Sequence, residues 1–171
     1  MPVIKFKSGN IFDIGIGKYD LCLFYGHHGM AFGLGYSIVQ KKYEVFKNIE
    51  SPFALMPNTP ITYSGIKSLV CIPNDYMSDD EIRNNLIAWL EFAKQNEYKS
   101  IALTGVRNSS KIGVLDITLL RQNDDDRVRF IVQILEVWLR QNNSKIENVL
   151  LIAMSDNFTR NYNAPVNVST L

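Results

Sequence analysis

Short apolar runs alternate along this chain of 171 residues with longer segments in which apolar residues recur at a helical period. Five runs have the length of a strand and are nearly all apolar, as expected of strands buried on both faces. They are Val3 to Lys7, Asp20 to Tyr25, Ser68 to Ile72, Ser100 to Thr104 and Val149 to Met154. Alternation of this kind is typical of a sheet covered by crossover helices. We therefore predict an α/β protein with three layers, α/β/α, around a mixed, mostly parallel central sheet.

The clearest predicted helix runs from Asp79 to Asn96, with a capping box formed by Ser78 and Glu81 at its start. A shorter helix is predicted from Gly35 to Phe46, and an irregular extra strand from Ile61 to Tyr63. The inward-facing residues of the two helices are predicted to be Ile82, Leu86, Trp89, Leu90 and Ala93 in the first and Val39, Tyr43 and Phe46 in the second.

Another helix is predicted to follow the acidic run from Asn123 to Asp126, whose charges would then face the positive end of the helix dipole. A metal site at this run is the alternative interpretation. The predicted buried stripe of this helix is Val128, Ile131, Val132, Leu135 and Leu139.

Size and charge limit the classes of protein to be considered. A chain of this length fits one domain of ordinary size, so we predict a single domain over residues 1–171. Lys and Arg number 18 against 17 Asp and Glu, which argues against non-specific binding to nucleic acid or to an anionic membrane. The start lacks the apolar stretch of a signal peptide, and no run is long enough to span a bilayer, so a cytoplasmic protein is expected.

The two cysteines lie in apolar runs, which is typical of buried, reduced thiols. Cys22 and Cys71 have no second Cys or His at the spacing of a zinc finger. We predict neither a metal nor a cofactor.

A glycine-rich segment from Gly26 to Gly35 directly follows the second predicted strand and precedes a predicted helix. Glycines allow backbone N–H groups to converge on an anion, and a helix N-terminus adds unpaired donors. The dinucleotide fingerprint and the P-loop are both absent, because no third glycine and no Gly-Lys-Ser/Thr follow. The segment is either a phosphate site or a tight turn that permits close packing.

This segment resembles the macro domains, and within them the branch that removes ADP-ribose from modified macromolecules. That branch has a strand followed by G-x-M-G-x-G-I-A and a helix rich in Lys; here the chain reads Met30-Ala-Phe-Gly33-Leu-Gly35-Tyr-Ser with Lys41-Lys42 beyond. Gly9-Asn10-Ile11 stands where the family has a G-D-I or G-D-L turn. The order of later elements also agrees, from about Val3 to Tyr162.

The resemblance implies a pocket for ADP-ribose or a related nucleotide. Asn10 and Ile11 would contact the base, residues 29–35 the phosphates, and Phe158 a ring, with packing over a strand end as the alternative for Phe158. Arg107 would meet a phosphate or lie in solvent. The implied ligand-binding residues are Asn10, Ile11, Gly29, Met30, Gly33, Leu34, Gly35, Tyr36, Gly105, Arg107, Asn108, Ser109 and Phe158.

The chain departs from the family where chemistry would occur. The family's acidic residue at the adenine is Asn10 here, and the Asn that ends the second strand in hydrolytic members is replaced by Gly26, His27 or His28. His27 and His28 are the candidate catalytic residues, as bases toward a water, or are ordinary loop residues. Two functions follow. The first is binding of ADP-ribose or a related nucleotide, with or without a divergent ADP-ribosyl hydrolase activity; the second is a non-enzymatic interaction or assembly protein whose pocket is filled by Met30, Phe32 and Tyr36.

Overall fold

The computed structural model describes residues 1–26, 39–49, 57–74, 77–104, 117–153 and 164–169. In these residues, seven strands form one sheet in the order β3-β4-β2-β5-β6-β1-β7. The strands are β1 (Val3–Ser8), β2 (Leu21–Gly26), β3 (Ile61–Tyr63), β4 (Ile66–Pro73), β5 (Ser100–Thr104), β6 (Asn148–Ala153) and β7 (Val166–Asn167).

The five long apolar strands are all parallel, as their burial on both faces predicted. β2 pairs in parallel with β4 and β5, and β6 pairs in parallel with β5 and β1. The two short strands close the edges in the antiparallel direction, β3 against β4 and β7 against β1. The mixed, mostly parallel sheet is therefore confirmed. β3 lies where it was predicted, whereas β7 was not foreseen.

Helices cover both faces of the sheet. Those whose bounds lie within the described residues are α1 (Ile11–Ile14), α2 (Asp79–Gln95) and α3 (Ile117–Gln141). Alternate strand residues divide between two apolar clusters: Leu21 and Leu23 of β2 pack on the side of α2 and α3, while Cys22 packs on the side of α1. This alternation is what a strand covered on both faces requires. Within the described segments, no helix is long and apolar enough to cross a membrane.

The predicted start of α2 is confirmed. The Glu81 amide donates to Ser78 Oγ over 3.2 Å, and the Ser78 amide donates to Glu81 Oε1 over 3.3 Å. Two backbone N–H groups that the first turn cannot pair are thus satisfied. Ile82, Leu86 and Leu90 are fully buried, as the stripe predicted. Ala93 is buried with them, and Trp89 only in part.

The prediction for the start of α3 is wrong. α3 begins at Ile117, so the acidic run at residues 123–126 lies within the helix and not at its N-terminus, and the dipole cannot account for it. In the part of the chain described here, no group of three or more His, Cys, Asp or Glu could hold a metal ion. The buried stripe of α3 is confirmed from Val128 to Leu139.

The helix predicted from Gly35 to Phe46 is interrupted. Residues 39–42 are helical, and Glu44–Phe46 form a separate 3₁₀ turn. Tyr43 between them has an extended backbone, with φ of −117° and ψ of 121°, and this breaks the helix. Val39, Tyr43 and Phe46 are nevertheless buried, as predicted. Residues 35–38 lie outside the described residues.

Both cysteines are buried and free, in agreement with the prediction. Burial, the main cause in each case, raises the pKa of Cys22 and of Cys71 to about 12. At neutral pH both thiols are protonated and pack as small apolar side chains.

Candidate functional site

The carboxyl ends of β1, β2, β4, β5 and β6 meet at one edge of the sheet, because these five strands are parallel. Open sheets of this kind bind ligands at that edge, where the order of the strands reverses. The chain after β2 leads to β3 and β4, which lie on the side of β2 away from β5. The chain after β5 leads through α3 to β6, which lies on the side of β5 away from β2. The reversal therefore lies between β2 and β5.

The pairing of β2 with β5 stops short at this point. Its register runs from Leu21 opposite Ile101 to Leu23 opposite Leu103 and goes no further. By contrast, β2 remains paired with β4 as far as Gly26 opposite Pro73, and β5 remains paired with β6 as far as Thr104 opposite Ile152. In the described residues, the two strands thus stop pairing with each other while each keeps its other neighbour. The switch-point rule predicts a ligand crevice between their carboxyl ends.

The hydroxyl of Thr104 occupies the position at which the strands separate. The Tyr25 amide donates to Thr104 Oγ1 over 2.9 Å, and Thr104 Oγ1 donates to the Tyr25 carbonyl oxygen over 3.2 Å. A hydroxyl has one donor and two acceptor positions, so it can do both at once. Within the described residues, it is the hydrogen-bond partner of both backbone groups of Tyr25.

The side chain of Tyr25 also holds the end of β2, through a hydrogen bond to α2. Its hydroxyl donates to Asn85 Oδ1 of α2 over 2.9 Å, and Asn85 Nδ2 donates to Asn58 Oδ1 over 3.4 Å. Burial raises the pKa of Tyr25, so the phenol stays protonated and remains a donor. The end of β2 is therefore held both by Thr104 and by α2.

The other side of the β2 terminus is held by the residue that follows β4. The Asn74 amide donates to the Gly26 carbonyl oxygen over 3.0 Å, and the Met77 amide donates to the Asn74 carbonyl oxygen over 3.2 Å. Asn74 is only 3% exposed. The first residue of the glycine-rich segment, Gly26, is therefore anchored at a defined place on the carboxyl edge.

Asn10 and Ile11 are the predicted ligand residues that the structure describes. Asn10 is the N-cap of α1, and its Oδ1 accepts a hydrogen bond from the Phe12 amide over 2.9 Å. The oxygen predicted to accept from an adenine amino group therefore already has one local donor, and its second lone pair would have to serve a ligand. The Ile11 side chain is 1% exposed and packs in the core. The contact of Ile11 with a base stays a prediction.

The remaining predicted site residues lie outside the described segments. They are His27, His28, Gly29, Met30, Gly33, Leu34, Gly35 and Tyr36 in residues 27–38, Gly105, Arg107, Asn108 and Ser109 in residues 105–116, and Phe158 in residues 154–163. In sequence, these three segments directly follow β2, β5 and β6, whose carboxyl ends share the edge just described.

Sequence reasoning missed Thr104, Tyr25 and Asn85. Thr104 was read only as the last residue of an apolar run. The available signal was the pattern of β5 itself, in which a hydroxyl residue stands at each end of three apolar residues. A hydroxyl at the end of a buried strand can bond to backbone groups that the ladder leaves unpaired.

The opposite edge of the sheet carries a polar cluster around Asp20. Asp20 Oδ2 accepts from the Lys99 amide over 2.8 Å, and Lys67 Nζ lies 3.0 Å from Asp20 Oδ1. The Asp20 amide donates to Ser100 Oγ over 3.0 Å, and the Ser68 amide donates to the Asp20 carbonyl oxygen over 3.1 Å. Partial burial raises the pKa of Asp20, but the hydrogen bonds from Lys99 and Lys67 outweigh it, so the net pKa lies below its ordinary value.

A groove of about 590 Å³ also opens on this opposite edge. Its lining includes Met1 and Pro2 before β1, Lys99 before β5, and Lys145 and Glu147 before β6. All of these residues lie at the amino ends of the strands. The groove is therefore separate from the crevice between β2 and β5, and its mixed charges favour no particular ligand.

Comparison by sequence finds no relatives. No protein-family model matches the chain, and no match was found among curated proteins.

Comparison by structure finds macrodomains. The Trypanosoma brucei macrodomain aligns with a TM-score of 0.53 at 11% identity, over 94% of this chain and 65% of that one. The same protein in complex with ADP gives 0.52 at 12% identity, over 91% and 66% of the two chains. A mutant Oceanobacillus iheyensis macrodomain with ADPR gives 0.52 at 13% identity, over 91% and 88%.

A tomato leucine aminopeptidase mutant also aligns, with a TM-score of 0.52 at 10% identity over 90% of this chain and 33% of the aminopeptidase. The present chain thus spans less than two thirds of the first two structures it matches. Identities this low establish architecture and not activity. This chain accordingly has the macrodomain-like α/β fold, a mixed and mostly parallel seven-stranded sheet with flanking helices.

Proposed function

We propose that this protein binds ADP-ribose or a related nucleotide at the carboxyl edge of its parallel strands, at the crevice between β2 and β5. The observation that carries the proposal is that the described pairing of these two strands ends at the place where the strand order reverses. A crevice at such a switch point is where open α/β sheets bind their ligands. Gly26, from which the glycine-rich segment continues, ends one of the two strands.

The solved neighbours support the same class of ligand. A Trypanosoma brucei macrodomain was solved with ADP and an Oceanobacillus iheyensis macrodomain with ADPR, and this chain shares their fold. The net charge of +1 gives this protein no general attraction for polyanions. Affinity for a phosphate would therefore come from local donors, such as converging backbone N–H groups in the glycine-rich segment.

The test is calorimetric titration of the protein with ADP-ribose and, separately, with ADP. A Gly33→Glu variant adds bulk and negative charge to the predicted phosphate segment and is expected to abolish binding. Asn143→Glu is the matched control, because it adds the same charge at an exposed position on the opposite edge. We expect the wild type and the Asn143→Glu control, but not Gly33→Glu, to bind with a dissociation constant in the micromolar range. A dissociation constant of about 1 μM corresponds to a binding free energy of about −8 kcal/mol.

The outcome also separates the alternatives. Binding that survives in Gly33→Glu would contradict the proposed location of the site. A wild-type protein that binds neither ADP-ribose nor ADP would contradict the proposal and favour an interaction protein with a filled pocket. If ADP-ribose binds, release of ADP-ribose from a modified protein, compared between the wild type and His27→Ala and His28→Ala variants, tests the hydrolase activity.

A further inference from the structure

We infer that Thr104 is a positioning residue for the ligand site, and that its hydroxyl holds the end of β2 at the separation from β5 that the ligand requires. This inference rests on the proposed function, since it concerns the same crevice. No sequence motif assigns Thr104 to a site. Three observations carry it: the place where pairing stops, the double hydrogen bond of the hydroxyl, and the contrast with Ser100.

The place where pairing stops gives Thr104 its leverage. The described pairing of β2 with β5 ends at Leu23 opposite Leu103. Leu23 lies three residues before Gly26, where β2 ends. The described part of this ladder therefore supplies no partner to the N–H or the carbonyl of Tyr25. Thr104 Oγ1 pairs with both, at 2.9 Å and 3.2 Å. The hydroxyl therefore adds to the contacts from Asn85 and Asn74 that hold the end of β2.

The hydroxyl also offsets part of the negative charge of a backbone carbonyl near the switch point. A free carbonyl of Tyr25 would place a partial negative charge at the base of the crevice, where it would repel an anionic ligand. Because Thr104 Oγ1 donates to the Tyr25 carbonyl, the lone pairs of that carbonyl oxygen are partly engaged. Removal of the hydroxyl would both loosen the end of β2 and expose this carbonyl.

Ser100 provides a built-in comparison at the other end of β5. Its Oγ accepts from the Asp20 amide over 3.0 Å, just as Thr104 Oγ1 accepts from the Tyr25 amide. Both hydroxyls thus connect β5 to the backbone at an end of β2. Only Thr104 stands at the carboxyl edge, so only Thr104 is expected to affect a ligand there.

The experiment compares Thr104→Val, Thr104→Ser and Ser100→Ala by titration with ADP-ribose and by urea unfolding. Thr104→Val keeps the side-chain shape, removes the hydroxyl and is expected to weaken binding roughly five- to tenfold. Thr104→Ser restores the hydroxyl and is expected to bind like the wild type. Ser100→Ala is expected to lower the urea midpoint without changing affinity, which separates positioning from general stability.

The results distinguish this inference from the proposed function. A wild type that binds nothing contradicts the proposed function. If the wild type binds, two results contradict the role of Thr104 and leave the proposed function intact. One is an affinity of Thr104→Val equal to that of the wild type. The other is a loss of affinity in Ser100→Ala equal to that in Thr104→Val.

Hydrogen exchange of the wild type tests the inference without any variant, and so applies even where Thr104→Val does not fold. Saturating ADP-ribose is expected to slow exchange of the Tyr25 amide more than that of the Asp20 amide. Equal slowing of the two amides would overturn the role of Thr104.

Discussion

Asp20 joins three strands at the amino-end edge of the sheet, so Asp20→Asn is expected to destabilise the fold. Its carboxylate accepts a hydrogen bond from the amide of Lys99, which precedes β5, and pairs with Lys67 of β4. The substitution keeps one side-chain oxygen and removes the charge. That oxygen can still face the Lys99 amide, while the new NH₂ group would face Lys67 and repel it.

The magnitude follows from these two contacts. A hydrogen bond to a charged group contributes about 1.5–3 kcal/mol and a neutral one about 0.5–1.5 kcal/mol, so the bond from Lys99 loses roughly 1 kcal/mol. The pair with Lys67 adds at most about 1 kcal/mol, because the Lys67 side chain is 66% exposed. We expect the free energy of unfolding to fall by about 1–2 kcal/mol, which corresponds to about 2–8 °C in a chain of this size.

The pH dependence tests the electrostatic part of this reasoning. The pKa of folded Asp20 lies below its ordinary value of 3.8, so the stability it contributes is present above that value and is lost as the pH falls through the folded pKa. Urea unfolding of wild type and variant from about pH 7 to pH 3 is the assay. The difference between the two proteins is expected to be constant down to about pH 5 and to shrink below it.

Lys67→Met is the control for the exposed ion pair and is expected to cost no more than about 1 kcal/mol. A Lys67→Met variant that loses as much stability as Asp20→Asn would show that the bond from Lys99 contributes little. The reasoning would be refuted by a stability difference between the wild type and Asp20→Asn that does not change with pH.

Two further predictions concern α2 and the core. Ser78→Ala removes the side-chain acceptor of the capping box and is expected to lower the free energy of unfolding by about 1 kcal/mol in urea titration; an unchanged midpoint would contradict the contribution of the cap. Cys22 and Cys71 are expected not to react with a disulfide dye at about pH 8 in the folded protein and to react in urea, because burial raises the pKa of both to about 12. Rapid reaction without urea would show that these strands open locally.

The sheet could be predicted from sequence because its central strands are apolar on both faces. Apolar runs of this kind identified all five parallel strands to within about two residues, and the capping box at Ser78 marked the start of α2. β7 could not be predicted, because a strand of two residues has no periodicity and is defined only by its pairing with β1. The start of α3 was missed because an acidic run was interpreted as a helix terminus when it lies within the helix.

The candidate site was less accessible to sequence reasoning. The glycine-rich segment and the resemblance it carries predicted the ligand class, and that prediction stands as a proposal. The crevice depends on where two strands separate, and this is a property of pairing that no local pattern encodes. Thr104 and Tyr25 become recognisable as partners only when residues 79 positions apart in sequence are brought together.

The position of β1 in the sheet has a consequence for how the chain assembles. β3, β4, β2 and β5 are neighbours formed from residues 21–104, whereas β1 lies between β6 and β7, with Val3 opposite Asn148. During synthesis, β1 therefore has no partner in this sheet until β6 has been made. Pairing over such a separation in sequence makes folding slow, and it leaves an apolar strand exposed in the meantime.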